Sequence, residues 1–138
     1  MMKKAVAALA LVFCGVCVGQ STVGEVTQQG GKKLSKEDLQ QLYAGGVTAK
    51  GTTRSGAHYV QQNKADGSVS GNGQTLRGST GIYGGWKIND DGQECWDLKF
   101  TSGGSLAGCW FLWKLGDKYF AASVDAPDTA VSIKQYEK

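Results

Sequence analysis

The sequence predicts an all-β protein: an antiparallel up-and-down meander of about eight strands, closed into a small barrel, with one N-terminal helix packed on or capping it. Three observations lead there. From residue 47 onward, short apolar or β-branched runs are broken by turn residues at near-regular intervals. The chain carries 21 glycines and a single proline, a usage that suits tight hairpins better than helices. The joining segments are short enough to link only antiparallel neighbours, and closing the meander would remove its exposed edges.

Residues 1–19 have the three-part form of a secretory signal: Lys3 and Lys4, then an apolar run over 5–18, then small residues at Cys17 and Gly19. The run is shorter than the roughly 20 residues needed to span a bilayer, so no transmembrane span is expected in the mature chain. A lipid anchor on Cys14 or Cys17 is the rival reading, but Phe13 and Val16 stand where a lipobox needs a small residue. Removing the signal leaves one domain's worth of chain, and a periplasmic or secreted location follows. The formal charge is +3 for the whole chain, and its lysines and arginines are scattered singly among acids. Nucleic-acid binding therefore lacks an electrostatic footprint.

Residues 20–33 are polar and aperiodic and are expected to be a flexible leader, leaving 34–138 as a single β-barrel-like domain. The convincing helix covers 36–44. Ser35 can cap it with Asp38 as capping-box partner, Leu34 and Leu39 occupy the staple positions, and Gly45 stops it. Leu39, Leu42 and Tyr43 form its apolar stripe.

Strands are expected at 47–54, 57–64, 68–77, 81–89, 93–101, 106–115, 118–125 and 130–136. The fifth and sixth form an aromatic hairpin around Ser102-Gly103-Gly104, and a three-residue turn at Asp90-Asp91-Gly92 sets Trp86 beside Trp96. Export predicts an oxidising compartment, and the pair Cys95 and Cys109, brought into register by the hairpin loop, is expected to form a disulfide. Period-two alternation puts Trp96, Leu98 and Phe100 on the core face and Cys95, Asp97 and Lys99 outside. Pairing Cys95 with Cys109 would then leave Phe111 and Trp113 outside as well. A β-bulge near residues 108–110 that turns both rings inward is the favoured resolution; otherwise the stripe of Leu39, Leu42 and Tyr43 must cover them.

Templates for chemistry fit poorly. Gly103-Gly104-Ser105-Leu106-Ala107 lacks the last glycine of a nucleophile elbow and precedes a strand instead of a helix. Gly71-Asn72-Gly73 has Leu76 where a dinucleotide fingerprint needs its third glycine, and Asn89-Asp90-Asp91-Gly92 places its glycine too early for a calcium loop. His58 is the one imidazole, with no acid adjoining it in sequence, so no metal site or cofactor is expected. An enzyme would have to be a carboxylate-based hydrolase drawing on Asp90, Asp91, Glu94 and Asp97.

From Leu34 onward, Leu34-Ser35-Lys36-Glu37-Asp38-Leu39, Tyr59, Asp66-Gly67, Gly85-Trp86, Cys95-Trp96 and Cys109-Trp110 resemble, over residues 34–120, the secreted proteobacterial family known as domain of unknown function 995. The resemblance implies export and a β-rich domain and supplies no catalytic residues. A fainter likeness, through Ser55-Gly56-Ala57-His58-Tyr59 and Trp86-Lys87, is to the membrane-bound and periplasmic lysozyme inhibitors, which are small barrels.

The functional expectation is a non-enzymatic binding module for a small apolar ligand or for an envelope or extracellular protein, with Trp86, Trp96 and Trp113 as candidate ligand-binding residues. The alternative is an inhibitor of a hydrolase such as lysozyme, acting through a partner loop of Arg54, Ser55 and His58.

Overall fold

The computed structural model describes residues 21–53 and 55–138. The expected signal segment, with Cys14 and Cys17, and the candidate loop residue Arg54 lie outside the described residues. The remaining chain forms a closed eight-stranded antiparallel barrel. Two short helices come first, α1 (Val23–Gln28) and α2 (Lys36–Tyr43), with β1 (Lys32–Lys33) between them. The barrel strands are β2 (Val47–Thr52), β3 (His58–Asn63), β4 (Ser68–Thr75), β5 (Gly78–Ile88), β6 (Glu94–Phe100), β7 (Ser105–Leu115), β8 (Lys118–Ala122) and β9 (Ser132–Glu137). Each pairs with the next, and β9 returns to β2 through Thr48↔Glu137 to Gly51↔Lys134, which closes the ring. The β4–β5 turn falls at Leu76-Arg77, where Thr75 pairs with Gly78, two residues before the Gly78-Ser79 break read from the sequence.

Helix α2 forms as its sequence dictates. The Ser35 side chain accepts from the Asp38 amide while the Asp38 carboxylate accepts from the Ser35 amide, so two otherwise unpaired donors are satisfied reciprocally. Its apolar face closes one end of the barrel: Leu39 is fully buried against Leu112 and Ala121, with Leu34, Leu42 and Ile88 around them. Tyr43 reaches past them into the interior.

The favoured bulge is absent. The β6–β7 ladder runs without interruption from Glu94↔Trp110 through Cys95↔Cys109 to Lys99↔Ser105. Alternation therefore puts Glu94, Trp96, Trp110 and Leu112 inside, and Phe111 and Trp113 outside. The outer patch is covered, but not by the α2 stripe. Val23 and Val26 of α1 pack on Trp113, Phe120 and Ala122, with Phe111, Leu115 and Val131 at the margin.

The expected flexible leader is thus a structured strap over the described residues 21–33. Thr22 caps α1 by accepting from the Glu25 amide. The Val23 and Gly24 amides donate to Thr129 O and Pro127 O, both at 2.9 Å, and β1 pairs Lys32 with Lys114 and Lys33 with Trp113. The physical reason for the correction is that an outward Trp113 needs a partner. The polar look of the segment hides two valines three residues apart, one helical turn, that supply it. Close packing explains Gly31: a Cβ there would lie 2.5 Å from Val26 Cγ1.

The disulfide forms between directly opposed residues. Cys95 and Cys109 are joined on the outer face with Cα atoms 4.0 Å apart. Among the described residues no helix is long and apolar enough to cross a membrane.

Candidate functional site

The interior is filled at the α2 end and hollow at the other. A cavity of about 530 Å³ opens between the β2–β3, β4–β5, β6–β7 and β8–β9 connections. Its walls are mainly apolar, built from Ile82, Leu98, Phe100 and Leu106 and from the rings of Tyr59, Trp96 and Trp110. Hydroxyl-bearing residues Thr75, Thr80, Ser102 and Ser132 lie around the rim. The space exists partly because inward positions are glycine. Gly73 stands opposite Tyr59 on β4 and contributes no side chain to the lumen. At Gly108, a Cβ would meet the Trp110 ring at 2.9 Å, so the absence of one lets that indole lie against the strand.

Below the cavity is a buried polar cluster. Glu94, fully buried, accepts at Oε1 from the Tyr43 hydroxyl at 2.5 Å and the Tyr136 hydroxyl at 2.6 Å. Its Oε2 accepts from Tyr136 at 2.8 Å and from Lys134 Nζ at 3.0 Å. Trp96 Nε1 donates to the Tyr43 hydroxyl at 3.3 Å, which links the cavity wall to the cluster. Lys134 Nζ also lies 3.7 Å from the centre of the Trp96 ring and 5.5 Å from that of Trp110. Of the ion pair, Lys134 borders the cavity and Glu94 stands behind it.

Burial, reinforced by the Glu94 charge, pushes the Tyr43 and Tyr136 hydroxyls well above the ordinary tyrosine value. Burial, and then the same charge, raises Tyr59 too. Burial lowers the Lys134 ammonium from its usual value, and Glu94 opposes that shift. In the cluster, the Tyr43 and Tyr136 phenols are thus held in the neutral, donating form around the Glu94 side chain. Beside it, Gln61 Nε2 donates to Asn63 Oδ1 at 3.1 Å.

The structure separates the three tryptophans singled out from the sequence. Trp96 lines the cavity. Trp86 sits opposite it in register, as the turn chemistry predicts, but belongs to the α2 end, 4.5 Å from the Tyr43 ring, with its indole N–H donating to Lys64 O at 2.7 Å. Trp113 is on the outer face beneath α1. Trp110, which the expected bulge displaced, is the second cavity tryptophan. Lys134 was missed because a lysine beside Ile133 reads as the outward member of the pair.

The candidate partner loop stands at the cavity mouth. Thr53 Oγ1 and Ser55 Oγ are 2.9 Å apart, the Ala57 amide donates to Thr53 Oγ1 at 3.1 Å, and Thr52 Oγ1 lies 2.9 Å from His58 Nδ1. The four acids of the hydrolase reading are dispersed. Asp90 is exposed and paired with Lys36 at 2.6 Å, Asp91 and Asp97 are exposed, and Glu94 is sealed in the interior. No three potential metal ligands cluster among the described residues. No family model matches the chain, and no curated protein or solved structure is significantly similar to it.

Proposed function

We propose that this protein is an exported, non-enzymatic binding barrel that holds one small, mainly apolar ligand in the cavity between Tyr59, Ile82, Trp96, Phe100 and Trp110. The observation that carries the reading is the cavity itself. At about 530 Å³ it falls in the range of small-molecule sites, and it combines aromatic walls with a few convergent polar groups. An eight-stranded barrel has the diameter at which the lumen is either filled by side chains or left with space for one small ligand. The signal-like residues 1–19 and the Cys95–Cys109 disulfide support an oxidising, extracytoplasmic location.

Native mass spectrometry of protein purified from its own periplasm, with thermal melts across lipid and aromatic libraries, tests this. A retained ligand or a saturable stabilisation is expected, together with a change in the emission of Trp96 and Trp110. A protein that carries nothing and responds to no library member would overturn the reading.

The second reading, inhibition of a hydrolase such as lysozyme, draws on the β2–β3 loop, whose Thr53, Ser55 and Ala57 are held in place by local hydrogen bonds while Ser55 and His58 stay exposed. A turbidity assay against several lysozymes decides it. Absence of inhibition at micromolar protein would end it.

A further inference from the structure

Among the described residues that line the cavity, Lys134 supplies the charged group at its deep end, and the hydrogen-bonding capacity of the Lys134–Glu94 pair is unequally spent. Glu94 receives three donor groups, the Tyr43 hydroxyl, the Lys134 ammonium and a Tyr136 hydroxyl whose one hydrogen lies between its two oxygens, so both oxygens are engaged by the fold. The Lys134 ammonium has three N–H donors. One goes to Glu94; its other close neighbours are the faces of Trp96 and Trp110. Glu94 does not border the cavity and Lys134 does, so a molecule entering from the mouth meets the donor side of the ion pair. The desolvation of that ammonium is already met by the fold, so a ligand atom that hydrogen-bonds to it does not bear that cost again.

From this, and resting on the cavity reading above, we infer the ligand's chemical class: an apolar chain or ring system with a single anionic, hydrogen-bond-accepting head, a monocarboxylate, seated on Lys134 with its body along Ile82, Leu98 and Phe100. Cationic heads are rejected. They would meet an ammonium with no carboxylate oxygen facing the cavity beside it, and like charges brought together in a desolvated site repel strongly.

The experiment compares decanoate, decanol and decylamine, each below its self-association concentration, by isothermal titration and by quenching of tryptophan emission. Decanoate is expected to bind about tenfold or more tighter than decylamine, the scale of one charge-assisted hydrogen bond, and tighter than decanol. In the paired variant Glu94→Gln with Lys134→Met, which removes both charges together, decanol binding should persist while the preference for decanoate disappears. Equal affinity of the three ligands for the unaltered protein would overturn the head-group assignment and leave the cavity reading standing. So would a preference that survives in the paired variant. Failure of all three to bind a folded protein would overturn the head-group assignment, and the cavity reading falls with it only when the lipid and aromatic libraries also give no response. The comparison of heads on the unaltered protein needs no variant, so it decides the matter even if the paired variant does not fold.

Discussion

The Tyr43 hydroxyl donates to Glu94 Oε1 at 2.5 Å across 51 residues of sequence, which fastens the capping helix α2 to the inside of the barrel through a buried carboxylate. Tyr43→Phe keeps the ring against Trp86 and removes this bond. Hydrogen bonds to charged groups contribute about 1.5–3 kcal/mol, and a loss in that range is expected by denaturant unfolding. Glu94→Gln strands the Lys134 charge and should cost more, about 3–5 kcal/mol. Adding Lys134→Met should recover much of that, because the cost lies in the uncompensated ion and not in the loss of the pair.

Helix α1 shields the outer face of β7 and β8. Val26→Ala removes two buried methyl groups beside Trp113, and a destabilisation of about 1–2 kcal/mol is expected. Gly31→Ala acts on the same contact from the other side, since its Cβ would sit 2.5 Å from Val26 Cγ1 and 2.8 Å from Val26 O. Overpacking of this kind costs about 1–3 kcal/mol. Both variants should loosen the strap and shift tryptophan emission to the red as Trp113, only 2 % exposed in the native fold, meets water.

Reduction of the Cys95–Cys109 bond, or Cys95→Ser with Cys109→Ser, should lower the melting temperature while leaving a β-rich circular dichroism spectrum. The chain-entropy relation gives roughly 3 kcal/mol for a loop of about 15 residues. That is an upper figure, because the β6–β7 ladder already holds the same loop closed. Two thiols titrating freely in native, oxidised protein would contradict the pairing.

Alkaline pH should destabilise the fold. Tyr43, Tyr59 and Tyr136 have folded values raised above the ordinary 10.0. Above about pH 10 they ionise in the unfolded chain while remaining protonated in the barrel, so their contribution is complete below that pH and is lost as pH rises toward the folded values. Each contributes up to about 1.4 kcal/mol per pH unit in that window. Lys134 acts in the opposite sense: its value is lowered, so between the lowered value and the ordinary 10.5 the unfolded chain holds the extra proton and stability rises with pH. Three groups against one leave a net fall. Urea midpoints measured from about pH 10 to about 11.5 should drop, and Tyr59→Phe should flatten the slope; a midpoint independent of pH across that range would contradict the burial of the three hydroxyls.

Residues 34–138 reveal most of the architecture before any coordinates, because hairpin chemistry is local. Asn89 to Gln93 closes a turn with Gly92 at φ 81°, and that turn alone sets Trp86 against Trp96. The Ser35 cap and its reciprocal partner Asp38 start a helix wherever the chain lies. Which face of β7 points inward is not local. Cys109, Phe111 and Trp113 share one face and Trp110 and Leu112 the other, and both faces are apolar enough to be a core. The choice was made by the covalent pairing at Cys95 and by a cover for the outside, Val23 and Val26, in a stretch whose polar composition hid it. The same inversion propagates through β8 to β9: Phe120 lies outward under α1, its register partner Ile133 lies outward with it, and Lys134 and Tyr136 turn in to meet Glu94. Alternation along a strand dictates which residues share a face. Only the barrel, by bringing elements far apart in sequence into contact, decided which face would be buried from water, and with it where the Lys134 ammonium would stand.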